Sequence, residues 1–225
     1  MTQPNAILMF AAGLGTRMGT LTATRPKPLV KVAGRALFDH ANALTQVPQI
    51  RRRVVNVHYK ADMMRAHLAG ANIAISDEVD LLRDTGGGLR HALPLLGKGP
   101  VITLNTDAIW KGANPIPQIL NAWDPSMEAL LMMVPKEAVH GHTGPGDFQM
   151  DATGELTRGP GDIYTGLQII RPDVLDEIED TVFSLNAAWN IIAQRGGLYG
   201  CRYDGQWCDV GRPESIPLAE ALLDV

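Results

Sequence analysis

AILMFAAGLGTRM, residues 6–18, joins an apolar run of five residues to a glycine-rich turn that contains a cation, Arg17. An apolar run of this length, followed at once by a glycine turn, is typical of a buried β-strand that ends at a loop. Backbone N–H groups in such a turn can point at phosphate oxygens. The stretch therefore predicts a strand over residues 6–10 and an anion-binding turn directly after it.

The charge around this turn is positive, although the chain as a whole is acidic. Asp39 is the first acid in the sequence. The cations that precede it are Arg17, Arg25, Lys27, Lys31 and Arg35. The 225-residue chain has a net charge of -4, which argues against a general nucleic-acid binder because such proteins need a broad basic face. A local cluster of cations favours a small anionic ligand instead.

Apolar runs alternate with helical patterns along the chain, and the early runs are continuous rather than alternating. Continuous runs are expected of parallel strands buried on both faces, and strand–helix alternation favours right-handed crossovers. Predicted strands cover residues 6–10, 54–58, 73–76, 101–104, 129–134, 164–170 and 198–203. Predicted helices cover residues 36–46, 62–68, 87–96, 115–123, 172–179, 185–194 and 213–223. The expected fold is α/β, with a Rossmann-like, mostly parallel sheet flanked by helices.

The strand–helix order loosens between residues 135 and 165. Residues 148–150 and 155–157 flank a turn-rich tetrad at 151–154, which predicts a short hairpin beside the main sheet. The chain length suits one well-buried domain, and no segment reads as a linker. We therefore expect a single domain over residues 1–225, with a small β-rich lobe inserted at about 135–165.

Nothing in the sequence indicates a membrane or secreted protein. No segment approaches the roughly 20 apolar residues that span a bilayer, and residues 1–5 lack the positive charge of a signal peptide. Cys201 and Cys208 have no metal-type spacing, so reduced structural thiols are the simpler interpretation. We expect a cytoplasmic protein without membrane or nucleic-acid partners.

Two common phosphate motifs do not fit residues 11–31. A Walker loop ends in Gly-Lys-Ser/Thr, which this stretch lacks, and the dinucleotide fingerprint needs a glycine where Met18 stands. Pro26 and Pro28 also bar the regular helix that should follow a dinucleotide turn. What remains is AAGLGTRM, with Lys27 held between two prolines ten positions after Arg17.

This pattern resembles the signature of the sugar-1-phosphate nucleotidyltransferases. The resemblance implies that the turn wraps the triphosphate, that Arg17 holds the departing pyrophosphate, and that Lys27 holds phosphate oxygens near the attacked phosphorus. The nucleotide contacts that it implies in this part of the chain are Ala11, Ala12, Gly13, Gly15, Thr16 and Arg17. A tight turn with solvated surface charges would explain either half of the pattern alone. One departure is Gly19-Thr20, where the family often has a proline.

Asp107 and Asp209 each follow a strand-like apolar segment, and ligands of open α/β sheets bind at strand carboxyl ends. An aspartate at such a position is more often a cap or turn residue than a metal ligand. The resemblance implies that this pair holds Mg²⁺, and it adds Asn105 to the nucleotide contacts. Thr106 stands where the family usually has glycine.

The resemblance also implies a nucleobase wall and a sugar side. Thr85, Gly86 and Gly87 would lie against the base together with Ala11, although Asp84 or Thr85 could equally cap a helix there. The sugar contacts that it implies, besides Lys27, are Gly146, Asp147, Thr165 and Gly166. We interpret His140 and His142 as polar loop residues rather than metal ligands, because no third ligand lies nearby in the sequence.

Within the family, the chain most resembles short bacterial uridylyltransferases that act on N-acetylmuramate α-1-phosphate. This implies UTP as the nucleotide and cell-wall sugar recycling as the role. If the sugar is N-acetylmuramate, a cation or amide donor must meet its lactyl carboxylate, and Arg158 is the candidate by its place in the inserted lobe. The expected partners are small-molecule substrates, and the oligomeric state is a monomer or small homo-oligomer. Alternatives are guanylyl transfer to mannose 1-phosphate, cytidylyl transfer to phosphocholine, and a non-enzymatic regulatory subunit that binds nucleotide-sugars.

Overall fold

The computed structural model describes residues 3–224, which form one large sheet, three small sheets and six α-helices. The strands are β1 Ala6–Phe10, β2 Lys31–Val32, β3 Arg35–Ala36, β4 Arg52–Val57, β5 Ala74–Asp77, β6 Val101–Asn105, β7 Ala108–Lys111, β8 Ala129–Val134, β9 Val139–His140, β10 Phe148–Met150, β11 Leu156–Arg158, β12 Ile163–Ile170, β13 Leu198–Arg202 and β14 Gln206–Asp209. The helices are α1 Leu37–Leu44, α2 Ala61–His67, α3 Asp84–Leu96, α4 Pro115–Ala122, α5 Leu185–Gln194 and α6 Ser215–Leu222.

The large sheet has seven strands in the order β13-β8-β12-β6-β1-β4-β5. Parallel pairing joins β6, β1, β4 and β5, and it also joins β8 to β13. The exception is β12, which is antiparallel to both β6 and β8. All seven strands of this sheet overlap the seven strands predicted from the sequence. The mostly parallel α/β fold is therefore confirmed.

Alternate side chains of the sheet pack into two layers of helices. On β1, Leu8 belongs to a buried cluster with Leu89 of α3 and Ile192 of α5. Its neighbour Ile7 belongs to a second cluster, which contains Ile116 of α4. Because successive side chains of a strand point to opposite faces, both faces of the sheet are covered.

A second sheet of three short strands, in the order β7-β14-β9, was not predicted from the sequence. Strand β14 runs antiparallel to β7, and its last residue, Asp209, pairs with Ala108. These strands contain two to four residues each and mix polar with apolar side chains, so no continuous apolar run marks them. The pairing of β14 with β7 therefore places Asp209 opposite Ala108, the residue that follows Asp107.

The inserted segment forms a hairpin as predicted, with β10 and β11 paired antiparallel. Strand β12 enters the large sheet at Ile163, so the irregular segment ends slightly before the expected boundary near 165. Helix α3 begins at Asp84 rather than at residue 87. The helix predicted over 172–179 is a 3₁₀ segment, Pro172–Glu177. It ends earlier than predicted because the backbone is extended at Ile178. No helix among residues 3–224 has the length and apolar composition needed to cross a bilayer.

Candidate active site

A cavity of about 530 Å³, here called the main cleft, opens where β1 and β6 end. This is the edge of an open α/β sheet at which ligands bind. The residues expected to contact substrates that line it are Ala11, Ala12, Gly13, Gly15, Thr16, Arg17, Lys27, Thr85, Asn105 and Asp107. Residues from three separate parts of the sequence therefore meet in one cleft.

The glycine turn folds back onto Lys27. Gly15 has φ of 66°, and a Cβ atom built there would lie 2.9 Å from the Cβ of Lys27. The hydroxyl of Thr22 donates a hydrogen bond to the carbonyl of Gly15 at 3.0 Å, which closes the turn. Gly13 is exposed and has no heavy atom within 4 Å of a built Cβ. Gly15 is thus required by the fold, whereas Gly13 leaves space beside the cleft.

Lys27 is buried, and its ammonium points at Asp107 across the cleft. Its Nζ lies 2.6 Å from Oδ2 of Asp107. The lysine begins a short 3₁₀ turn, and Pro26 before it has an extended backbone. Arg17 is exposed, lines the same cleft, and makes no ion pair within residues 3–224. The cleft therefore holds one cation that is already paired and a second that can meet an anion.

Asp107 and Asp209 are neighbours. The amide of Val210 donates to the carbonyl of Asp107 at 2.9 Å, so the two aspartate backbones run side by side. Burial raises the pKa of Asp209, and the negative charge of Asp107 raises it further, whereas Lys27, Arg17 and His142 act in the opposite direction. A cation between the two carboxylates would relieve this repulsion.

The donor set at these aspartates fits a hard divalent cation. Carboxylate oxygens are ligands that Mg²⁺ prefers, and Mg²⁺ usually takes its remaining ligands from phosphates and water. Across residues 3–224, no group of three or more histidine, cysteine or acidic side chains is arranged to hold a metal. His140 instead lies 3.1 Å from the side-chain oxygen of Gln206. This pair of aspartates therefore suits Mg²⁺ better than a transition metal.

Thr106, which stands where the family usually has glycine, connects the segment before Asp107 to the large sheet. It is buried, and its hydroxyl donates to the carbonyl of Phe10 at the end of β1, at 2.6 Å. This bond joins the segment after β6 to the segment that begins the glycine turn. The hydroxyl thus stabilises the position of Asp107 next to it.

Gly86 and Gly87 lie away from the main cleft, contrary to the expectation that they face a base. Both amides donate to the carbonyl of Phe183. A Cβ at Gly86 would lie 2.4 Å from the Phe183 ring, and one at Gly87 would lie 2.4 Å from the carbonyl oxygen of Thr181. These glycines let α3 pack against residues 181–183, which accounts for them without a ligand. Neither Asp84 nor Thr85 is the N-cap, since α3 follows Arg83.

Thr85 and Asn105 mark the border between the main cleft and a second cavity of about 260 Å³, here called the side cavity. The hydroxyl of Thr85 accepts a hydrogen bond from the amide of Leu185 at 2.9 Å. Gly166 has φ of 85°, and a Cβ there would lie 2.6 Å from the side chain of Asn105. Gly166 therefore allows Asn105 to reach this border.

Of the predicted sugar contacts at residues 146, 147 and 165, only Asp147 lines the side cavity. Asp147 lines the side cavity, and its Oδ2 accepts a hydrogen bond from the amide of Tyr164 at 2.9 Å. Gly146 instead packs against Gly161, whose carbonyl oxygen would lie 2.0 Å from a Cβ at position 146. The side chain of Thr165 is buried and donates to the carbonyl of Met132. Gly146 and the side chain of Thr165 thus serve packing rather than the cavity.

Two buried polar residues at the main cleft were missed in the sequence. The side-chain oxygen of Asn56 accepts from the amide of Ala11 at 2.8 Å, and its Nδ2 donates to Glu78 at 2.8 Å. Glu78, which is fully buried, also accepts from the amide of Arg83. This chain of hydrogen bonds joins the ends of β1 and β4 to the start of α3. Asn56 in β4 and Glu78 after β5 are polar residues at strand carboxyl ends, and this position could have identified them as candidate site residues.

Comparisons with known proteins agree with this architecture. The model of the MobA-like NTP transferase domain matches residues 7–182. An N-acetylmuramate alpha-1-phosphate uridylyltransferase of Caulobacter vibrioides is 39% identical, covering 98% of this chain and 97% of its own length. A protein of the same name from Neisseria meningitidis serogroup B is 30% identical, with 96% of each chain covered. The crystal structure of HddC from Yersinia pseudotuberculosis has the same fold, with a TM-score of 0.78 at 19% identity, over 97% of this chain and 99% of that one.

The fold and the position of the cleft are those of an α/β enzyme that binds nucleotides at the carboxyl ends of parallel strands. The family match covers the turn, Lys27 and Asp107. The chain belongs to the MobA-like NTP transferase family and, within it, to the sugar-1-phosphate nucleotidyltransferases.

Proposed function

We propose that the protein transfers a uridylyl group from UTP to N-acetylmuramate α-1-phosphate and releases pyrophosphate. The observation that carries this proposal is the 39% identity, over 98% of the chain, to a relative with that activity in its name. A second relative of the same name is similar over 96% of the chain. The proposed role is cytoplasmic recycling of a cell-wall sugar, since N-acetylmuramate is a cell-wall component and UTP a cytoplasmic nucleotide.

The reaction is an in-line displacement at phosphorus. An oxygen of the sugar phosphate forms a bond to the α-phosphorus of UTP, while the bond from that phosphorus to the departing pyrophosphate breaks. The nucleophile is already an anion, so no strong general base is needed. The barrier is mainly the repulsion between two anions, which charge neutralisation and alignment lower.

The chain's own residues supply that neutralisation. The turn at Gly13 and Gly15 would hold the triphosphate with its backbone amides, and Arg17, which lines the cleft without an ion-pair partner, would meet the departing pyrophosphate. Lys27 would bind phosphate oxygens near the attacked phosphorus. Its burial and the contact of its Cβ with the Gly15 turn hold the ammonium in position before substrate arrives.

Asp107 and Asp209 would hold Mg²⁺. When bound, this ion supplies positive charge to the phosphate oxygens that gain negative charge during transfer. Lys27 and Arg17 lower the pKa of Asp209 against the effect of burial, and they thereby favour the ionised carboxylate that a metal requires.

Base and sugar would occupy opposite ends of the combined cavity. Ala11 and Thr85 would form the wall for the base, with Asn105 at the border, and Asp147 would face the sugar hydroxyls from the side cavity. In this proposal residues 1–225 form one domain, and the lobe at about 135–165 forms the sugar side. The hairpin β10–β11 supports this, because Phe148 and Arg158 line the side cavity.

A pyrophosphate-release screen tests the proposal. UTP, GTP, CTP and dTTP are each combined with N-acetylmuramate α-1-phosphate, mannose 1-phosphate and phosphocholine, with and without Mg²⁺. The expected maximum is UTP with N-acetylmuramate α-1-phosphate in the presence of Mg²⁺. A maximum with GTP and mannose 1-phosphate, or with CTP and phosphocholine, would overturn the substrate assignment. Absence of release from every pair would overturn catalysis and favour a nucleotide-sugar-binding regulatory subunit.

A further inference from the structure

Arg158, on β11, is a guanidinium held in place by neutral partners. Its Nε donates to the side-chain oxygen of Asn190 at 3.1 Å, and its Nη2 donates to that of Asn186 at 2.7 Å. Its Cζ lies 5.0 Å from the ring centroid of Phe148 and 5.8 Å from that of Trp189. Two amide oxygens and two aromatic rings therefore fix the plane of the guanidinium without neutralising its charge.

No carboxylate within residues 3–224 pairs with Arg158. Arg65 and Arg195, by contrast, each contact two acidic side chains. Asp84 and Asp147 line the same cavity as Arg158, but Asp84 accepts from the amide of Thr85 and Asp147 from the amide of Tyr164. The Nη1 group of Arg158 has no acceptor among the described residues. One edge of the guanidinium is thus available to a ligand in the side cavity.

The anion that Arg158 meets differs from the reacting phosphate. Lys27 and Asp107 line the main cleft and not the side cavity, whereas Arg158 lines the side cavity and not the main cleft. The two cavities share Asp84, Thr85 and Asn105 at their border. A ligand that spans this border with its phosphate beside Lys27 presents a different group to Arg158.

We propose that Arg158 binds a carboxylate carried by the sugar and so selects acidic sugar 1-phosphates over neutral ones. This proposal rests on the proposed transfer to a sugar 1-phosphate. The planar fork of arginine matches a carboxylate through two parallel hydrogen bonds. In N-acetylmuramate that carboxylate is the one on the lactyl ether, whereas a neutral sugar leaves the charge of Arg158 unpaired.

The test compares three acceptors with UTP: N-acetylmuramate α-1-phosphate, its lactyl amide, and N-acetylglucosamine 1-phosphate. Arg158→Gln should lower kcat/KM for the acidic sugar by about 50-fold, mainly through KM, because a charge-assisted hydrogen-bond pair is lost. The two neutral acceptors should change by less than about threefold. Arg158→Lys should keep part of the preference. Arg65→Gln, the same change at another arginine, should leave all three acceptors unaffected, and thermal melts check that each variant is folded.

Each other outcome overturns a defined part of the account. Equal loss on all three acceptors, or a wild-type enzyme without preference for the acidic sugar, would overturn the role of Arg158 and leave nucleotidyl transfer intact. No pyrophosphate release with any acceptor would overturn the proposed function. In that case, NMR titration with free N-acetylmuramate decides the role of Arg158 separately, and equal binding to wild type and Arg158→Gln would contradict it.

Discussion

Lys27 and Asp107, 80 positions apart in sequence, form an ion pair with Nζ 2.6 Å from Oδ2. The lysine side chain is 11% exposed and the aspartate side chain 31%, so both groups are partly shielded from water at the wall of the main cleft. The pair joins the segment that packs on the glycine turn to the candidate metal site. A change at either residue therefore acts on both halves of the site.

Removal of the Lys27 ammonium should slow the transfer. Lys27→Met keeps the side-chain length but cannot neutralise charge on the phosphates, so kcat/KM should fall by about 10²–10³-fold, as for the loss of other oriented electrostatic groups. Lys31→Met provides the matched control, because Lys31 is exposed on β2 and does not line the cleft. Pyrophosphate-release kinetics measure both. Near-wild-type turnover in Lys27→Met would contradict the role given to this residue.

Alanine substitutions at three glycines separate backbone strain from contact with Lys27. Gly15 and Gly34 both have positive φ, but a Cβ at Gly34 meets nothing within 4 Å, whereas one at Gly15 meets Lys27 at 2.9 Å. Both alanines should cost about 1 kcal/mol or more of unfolding free energy from φ alone. Gly15→Ala should cost more and should also reduce activity by displacing Lys27.

Gly13→Ala completes this series. Its free energy of unfolding should be close to that of wild type, because Gly13 has neither a positive φ nor a close neighbour. A raised KM for UTP would then report a methyl group beside the triphosphate. Denaturant unfolding and steady-state kinetics give both quantities, and equal stability losses at positions 15 and 34 would rule out the predicted contact with Lys27.

Loss of the Asn56 amide should affect nucleotide binding as well as stability. Asn56→Ala leaves the amide of Ala11 without its acceptor and removes one of the hydrogen bonds to Glu78, which should cost about 1–3 kcal/mol of unfolding free energy. The KM for UTP should rise, because the segment that begins the glycine turn loses its anchor. Asn121→Ala, at an exposed position, serves as the control. A stability loss with unchanged KM would reduce Asn56 to a packing role.

Asp209→Asn should stabilise the metal-free protein at neutral pH. The raised pKa of Asp209 means that the native state binds this proton more tightly than the unfolded state does. The stability from this group is fully present below its ordinary value of 3.8 and is lost as pH rises through the raised native pKa. The variant removes this loss of stability. For a protein of this length, a gain of about 1 kcal/mol in unfolding free energy raises Tm by about 2–4 °C.

Two comparisons check this effect. Asp124→Asn should bring no rise in Tm, because the hydroxyl and amide of Ser126 lower the pKa of Asp124. Added Mg²⁺ should raise the Tm of wild type more than that of Asp209→Asn, since binding to the native state stabilises it. A wild-type Tm at or above that of the metal-free variant throughout pH 4–8 would count against a repulsive carboxylate pair.

Much of the large sheet could be predicted from the sequence because strands such as β1 and β8 are continuous apolar runs of five and six residues. The second sheet could not, since β7, β9 and β14 are too short and too mixed to show a period. Their pairing depends on contacts between residues about 70 to 100 positions apart, such as Trp207 with Val139 and Cys208 with Ile109. The position of Asp209 beside Asp107 was therefore expected from the family resemblance and not from periodicity.

Within the site, charged residues were easier to predict than glycines. Lys27 and Asp107, which the family resemblance singled out, lie together at the cleft. A glycine can be required by a ligand or by packing, and sequence does not distinguish these causes: Gly86 and Gly146 each accommodate a neighbouring chain segment. The role of Asn56 could not be predicted from the sequence, because the hydrogen-bond partners of a single polar residue in an apolar strand are unknown until the strand order is known.

The most direct test of the central claim, that two neighbouring aspartates hold a divalent cation beside the phosphate site, is a Mg²⁺ titration of pyrophosphate release from UTP and N-acetylmuramate α-1-phosphate. Wild type, Asp107→Asn, Asp209→Asn and the exposed control Asp124→Asn are compared. The account predicts that both site variants lose about 10²-fold or more in kcat and need more Mg²⁺ for half-maximal rate, while the control matches wild type. An unchanged Mg²⁺ dependence in either site variant would contradict it.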